Sequence, residues 1–530
     1  MLVIHSLIGK KSPRQWGCLC LGAFIYALLF SLGSQIEKFG FTSVYVSLMR
    51  FGLSFPIALT ILIFLFHTMD HLRFSQENNT CLPAHPIRST LLSFLLIFLS
   101  YTPMFLIQFP GSYTYDIMPQ AFQAASGNFN TFHPLLHTLF LKACLSCTNL
   151  FDSFERAAAL CIVIQMALVS WCFAMVLSSI RRCFSHKVYL VVLAFFCIYP
   201  SHMAFATTYT KDTLFSASFS LFMALAFENS LRGSLSRLHR VIYVISGVLT
   251  CLFRNNMVYA LAAWFVFLLL SQKSMRRMTL YALLILFLAK GISDGLVVLT
   301  NAESGPLREM LSVPAQQFAR VRLYAGDQLT QQQCERMDAL FDQVIYERYD
   351  PTIADPIKDR ISEQALAAHP AEALNLYLTL GKKYPGLYLD AFLHTALPAL
   401  YPYSHYNVSP KYIEVGVCSI GLTTPYGLEQ IQQPRRFAAI RQLINTQIYD
   451  TGADHLPLVR YLFNSGFIFW LLLLQLLYDL YIGDMRRISV MFIPLMLWGT
   501  YLLGPVMQGR YLYPFVCILP SFLLRYKAKQ

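Results

Sequence analysis

The sequence predicts an all-α polytopic membrane protein with about twelve transmembrane helices and one mainly helical domain outside the membrane. Three observations predict it. The 530 residues are 56% hydrophobic and only 13% charged, whereas soluble domains carry about 25% charged residues. Apolar runs of helical length recur along the chain, long enough for a hydrocarbon core of about 30 Å. Lys and Arg concentrate in the short loops on alternate sides of these runs, the bias that sets membrane orientation.

In chain order the runs lie near 15–34, 46–67, 89–108, 157–180, 187–206, 211–228, 241–253, 256–271 and 278–299. After a long polar gap come 459–482, 487–507 and 511–525. Lys10, Lys11 and Arg14 precede the first run without a small-residue cleavage site, so this run reads as a retained anchor. The runs 241–253 and 256–271 are short and are parted by Phe253-Arg254-Asn255, which predicts two short helices meeting at one face. With the N-terminus inside, Arg73 and Arg88, then Arg181, Arg182 and Lys187, then Arg232, Arg237 and Arg240 fall in inner loops. Lys273, Arg276, Arg277, Arg486 and Arg487 follow the same rule, and twelve spans leave Arg525, Lys527 and Lys529 inside as well. The chain thus divides into a membrane domain 1–299 of about nine spans, an extracytoplasmic domain 300–456, and a membrane segment 457–530 of about three.

The net charge of +13 splits along this division. Residues 300–456 hold 17 of the 28 acidic and 13 of the 41 basic residues, a local balance of −4 that leaves +17 elsewhere. A basic excess confined to loops between apolar runs argues for membrane topology and against nucleic-acid binding. Most of the 13 cysteines lie in apolar runs, where they act as small hydrophobes. Cys144-x-x-Cys147 reads as part of an apolar helix, and Cys334 and Cys418 show no disulfide spacing.

This topology collects the unusual polar residues on the outer side. Asp116 is the one acidic residue between Glu77 and Asp152, and Gln120 and Gln123 follow it at helical spacing. A carboxylate there suits a general base or a metal ligand, or else a helix N-cap. His133 and His137 stand at i and i+4 behind Pro134; they suit hydrogen bonding to a substrate, a zinc site completed elsewhere, or a structural role. Lys211 and Asp212 open one run, Arg254, Asn255 and Asn256 another, and Arg510 the last. Three cations on the outer rim could together hold an anionic head group such as a phosphate, or pair separately with Asp116 and Asp212.

The order Phe109-Pro110-Gly111, Asp116, Gln120, Gly127, His133-Pro134, Thr210-Lys211-Asp212, Phe253-Arg254-Asn255-Asn256 and Arg510-Tyr511 resembles a family of largely uncharacterised bacterial polytopic membrane proteins. That family looks like the GT-C superfamily of integral-membrane glycosyltransferases. The resemblance implies a GT-C-like fold in the bacterial cytoplasmic membrane, both termini cytoplasmic. It also implies transfer of a sugar from a polyprenyl-phosphate-linked donor to an envelope glycan, lipid or protein on the outer face, with inversion. Asp116 would then be the catalytic carboxylate, as base or as ligand of a divalent cation, while Lys211, Arg254 and Arg510 would steady the phosphate. Two departures stand out: the acidic loop follows the third apolar run instead of the first, and Asp116 lacks a neighbouring carboxylate. Two readings from other classes use the same residues: a flippase or exporter of lipid-linked saccharides, and a non-catalytic envelope assembly scaffold.

Overall fold

The computed structural model describes residues 11–71, 86–114, 116–151, 153–271, 275–341, 347–404, 435–444, 461 and 463–523. Arg73, Lys273, Cys418, Arg525, Lys527 and Lys529 lie outside the described residues, as do 405–434 and 445–460 of the expected outer domain. The membrane portion is built from helices: α1 (Pro13–Phe39), α2 (Val44–His71), α3 (Pro86–Gln108), α4 (Ile117–Ser126), α5 (Leu135–Leu145) and α6 (Phe154–Cys183). Next come α7 (His186–Ile198), α8 (Pro200–Ala206), α9 (Lys211–Arg232), α10 (Arg237–Phe253), α11 (Asn256–Leu270) and α12 (Arg276–Thr300). Outside this bundle lie α13 (Ser312–Ala325), α14 (Pro370–Lys383) and α15 (Pro385–Leu400), and the chain returns through α16 (Ser465–Ile482), α17 (Met485–Leu502) and α18 (Gly509–Leu523).

Seven described helices are long and apolar enough to cross a membrane, namely α1, α2, α3, α6, α9, α12 and α16, and α7 with α8 makes an eighth if the bent pair is one span. This is fewer than the twelve expected, for local reasons. α10, α11 and α18 have 17, 15 and 15 residues, shorter than the roughly 20 of a typical span. α17 opens on Arg486 and Arg487, which lowers its apolar content. The run 187–206 breaks at Tyr199, held extended at φ −63° and ψ 121° because Pro200 disfavours helical geometry before it, and the two pieces meet at 54°.

α9 is the centre of the bundle and is buried on nearly every side. Its small residues Ser216, Ala217, Ser218, Ser220, Ala224 and Ala226 let α6, α10, α17 and α18 approach closely. The α1–α2 hairpin lies to one side, packed on α16 around its own cluster of Leu19, Ala23, Leu62, Phe66, Leu477 and Tyr478. Residues 312–388 make a further small helical core around Phe318, Val321, Met337, Ile357, Leu376 and Leu380. It is seated on the α1–α2 turn by buried Arg320, which donates to the Gly40 carbonyl at 2.8 Å, with its guanidinium 4.8 Å from the centre of the Phe41 ring. His394 and Asp390 of α15 complete the seam, bonding the Gly40 carbonyl and the Thr42 hydroxyl at 2.8 Å each.

Candidate functional site

The site forms where the loop after α3 meets the start of α9. Gly111 sits at φ +140°, with Ile162 and the Tyr209 ring so near that a Cβ would meet them at 2.7 and 2.9 Å; only glycine fits that backbone and that space. Two very short strands follow, β1 (Ser112–Tyr113) and β2 (Thr208–Tyr209), paired in parallel with Ser112 opposite Thr208. Both segments leave this clip in the same direction. Asp116 and Asp212, each four residues past the paired position, therefore arrive side by side.

Asp116 occupies the N-cap position of α4 but makes no side-chain cap bond. Its carboxylate turns instead to cations: Oδ2 accepts from the Arg510 guanidinium at 2.5 Å and lies 3.1 Å from the Lys211 ammonium. Burial opposes ionisation of this carboxyl, yet Arg510 and Lys211 hold it well below the usual carboxylate range. Asp212 ion-pairs with Arg254, and Arg510 Nε lies 4.0 Å from its other oxygen, so Arg510 bridges the two carboxylates. The Arg254 guanidinium is held between the Tyr501 and Tyr511 rings, 4.6 and 4.7 Å from their centres.

The imidazoles extend this network without forming a metal pair. His133 Nδ1 accepts from Lys211 at 2.9 Å. Burial first and Lys211 second push its basicity well below the usual imidazole range, so the ring is neutral and its proton rests on Nε2. That buried Nε2 has no hydrogen-bond partner among the described residues. His137 faces a different group: its Nδ1 is 2.6 Å from the Gln120 carbonyl oxygen, and Gln120 Nε2 donates to the Asp116 backbone carbonyl at 3.2 Å. Burial, and then Lys211, push His137 down to about 3. The two rings thus serve separate partners, and no group of three or more His, Cys, Asp or Glu suited to a metal occurs among the described residues.

Asp116, His133, Lys211, Asp212, Arg254 and Arg510 thus come together, with Gln120 and His137 supporting from behind. Asn255 and Asn256 do not join them. Asn255 is exposed and donates to the Thr131 carbonyl at 3.3 Å, which ties the α10–α11 corner to the loop before α5, while Asn256 opens α11. The separate pairings of cations with Asp116 and Asp212 are realised, and they leave a surplus. Among the described residues, three cations face two carboxylates beside a neutral His133, a buried cluster with one positive charge in excess. Sequence reasoning missed the Tyr501 and Tyr511 clamp and the β1–β2 clip. Tyr511 adjoins Arg510, whereas nothing local marks Tyr501 or a two-residue strand.

The same end of the bundle carries the segment that leads from α12 to α13–α15. Thr131 N donates to the Glu303 carbonyl at 2.9 Å, and Ala354 N to the Pro505 carbonyl at 2.7 Å, so both the catalytic-candidate loop and the approach to Arg510 are attached to the segment after α12. The comparisons with known proteins bear on the family alone. The model of a family of unknown function (DUF6020) matches residues 124–530. No curated protein matches the chain, and neither does any solved structure.

Proposed function

The chain belongs to that family of unknown function, and we propose from the chemistry of its site that it is an integral-membrane glycosyltransferase acting on a polyprenyl-phosphate-linked sugar. The observation that carries the reading is the buried cluster in which Lys211, Arg254 and Arg510 exceed the charge of Asp116 and Asp212. A buried surplus of guanidinium and ammonium groups suits a phosphate, and Arg supplies forked donors for it. The buried, unpartnered Nε2–H of His133 adds a donor beside Lys211.

In the resting arrangement Asp116 is a poor base, because two cations hold its proton affinity down. A donor phosphate competes for Arg510 and Lys211 and so raises the basicity of Asp116 as the substrate arrives. The acceptor hydroxyl then attacks the anomeric carbon and its proton passes to the Asp116 carboxylate. The carbon–oxygen bond to the phosphate breaks, and the lipid phosphate leaves with the electron pair, its new charge met by the cations. Direct displacement inverts the anomeric centre. Asp116 and neighbouring Asp212 are both engaged by Lys211, Arg254 and Arg510, and no group of three or more His, Cys, Asp or Glu suited to a metal occurs among the described residues, a donor set that does not fit a divalent ion, so no step is routed through a metal. The bilayer position, the GT-C-like fold, the outward-facing site with both termini cytoplasmic and an envelope glycan, lipid or protein as acceptor belong to the same proposal.

The test is product formation by purified protein from a lipid-linked sugar and an acceptor. Asp116→Asn is expected to retain the donor and form no product; undiminished turnover would end the assignment. Movement of an intact labelled lipid-linked sugar across liposomes by the unaltered protein, without transfer, would favour the flippase reading.

A further inference from the structure

At the end of the bundle opposite Asp116, a cleft of about 780 Å³ runs between α6 and α10, lined also by the start of α3. Both α6 and α10 pack on α9, which makes the floor with Ser218 and Leu221. The cleft extends from Arg182 to Leu168 on α6 and from Ser236 to Leu249 on α10. At the helical rise per residue that is a depth of about 20 Å. Its walls are predominantly apolar, and its lips, Leu168, Trp171, Leu238 and Ile245, are exposed. Because α6 is among the helices suited to cross the membrane, this mouth opens sideways at hydrocarbon depth.

One end of the cleft is cationic. Arg181, Arg182, Arg232 and His239 gather there, and among the described residues no carboxylate lines the cleft. Glu228, behind it, is occupied by Arg182 at 3.4 Å and His239 at 3.3 Å. Arg232 also lies within electrostatic range of Glu228, so Arg181, Arg182 and Arg232 together outnumber this one carboxylate and leave a positive surplus among the described residues. The Arg181 guanidinium lies 4.9 Å from the centre of the Tyr189 ring and donates to the Ser89 hydroxyl, while its buried Nε has no hydrogen-bond partner among the described residues. Arg232 donates to the Arg182 carbonyl at 2.9 Å and is otherwise exposed.

We infer that this cleft is a binding site for one anionic phospholipid, its acyl chain lying along α9 between α6 and α10 and its phosphate held by Arg181 and Arg232. The two halves of the site match the two halves of such a lipid. A long dry slot open to the bilayer takes a chain, and a cluster of three arginines that exceeds its single carboxylate, Glu228, takes a phosphate at headgroup depth. A zwitterionic lipid would bring its own cation to the same arginines and gain less.

The experiment uses the full chain in nanodiscs of phosphatidylglycerol and phosphatidylcholine in equal parts, released into the gas phase for native mass spectrometry. The unaltered protein is expected to retain one phosphatidylglycerol. Arg181→Gln, which keeps a hydrogen bond to Ser89, should lower that retention about tenfold, the loss of one charge-assisted contact, and Arg181→Lys should restore part of it. Ser246→Phe, which fills the slot from α10, should abolish retention of either lipid. Equal retention of the two lipids by the unaltered protein, or undiminished phosphatidylglycerol on Arg181→Gln, would overturn the assignment. If Ser246→Phe does not fold, the arginine pair of variants still decides it. The site is remote from Asp116, so product formation is no part of the readout.

Discussion

Replacing Asp116 by Asn tests the central ion-pair cluster without any assay of function. The carboxylate is 11% exposed in its side chain, and the substitution leaves Lys211 and Arg510, 14% and 4% exposed, without their shared partner. Removing one member of a buried pair costs about 3–5 kcal/mol, most of it the desolvation of the charge left behind. Asp116→Asn should fall toward the upper end, since it removes the carboxylate that two cations share. Arg510→Gln should cost less, about 2–3 kcal/mol, because Lys211 still faces Asp116. The double variant sets one amide against another and strands only Lys211, so its loss should be smaller than the sum of the two by about 2 kcal/mol. Denaturant unfolding of the four proteins in one detergent measures this coupling. Losses that add within about 0.5 kcal/mol would show that Asp116 and Arg510 act independently, and the electrostatic reading of the site would fall with them.

His137 has its folded-state pKa lowered to about 3, below the ordinary value near 6.5, so its stabilising contribution is complete above pH 6.5 and is lost as pH falls from there toward 3. Unfolding followed against pH should show stability declining by up to about 1.4 kcal/mol per unit in that window for this group, and His137→Gln should flatten the decline. For topology, single cysteines at Asn128 and Ser304, both exposed at the Asp116 end, should label from the side opposite to one at Ser234; labelling of all three from one side would refute the arrangement of the loops. Arg320→Gln removes the bond to the Gly40 carbonyl and the contact with the Phe41 ring. It should loosen residues 312–400 from the α1–α2 turn by about 2 kcal/mol, read as faster limited proteolysis there with the bundle intact.

The positions of the cluster were legible before any fold was known, because each charged residue stands out against an apolar run. Asp116, Lys211, Arg254 and Arg510 are rare polar residues at run ends, and ionisable groups beside hydrocarbon are costly enough to mark a site. Their partners were not legible. Asp116 looks like an N-cap by position, and only the β1–β2 clip turns it toward Arg510, a residue 394 positions away. His133 and His137 share a helical spacing that suits zinc, but Gln120 and Lys211 draw the two rings to different work. The number of spans was overread for a related reason. Hydropathy registers an apolar stretch, whereas the 54° bend at Tyr199 and the short α10, α11 and α18 depend on backbone and neighbours.

By itself the sequence determined that this protein is a helical bundle suited to a membrane, which end of the bundle gathers the rare acidic and basic residues, and that a folded segment is inserted before the last helices. These follow from composition and from local periodicity, which a chain carries without folding. Tertiary structure alone decided that α9 is the buried axis, that two carboxylates leave one clip side by side, and that three cations exceed them by a single charge. Those facts concern which helix ends become neighbours, and neighbours distant in sequence are chosen only when apolar faces pack and each buried charge is brought to a partner.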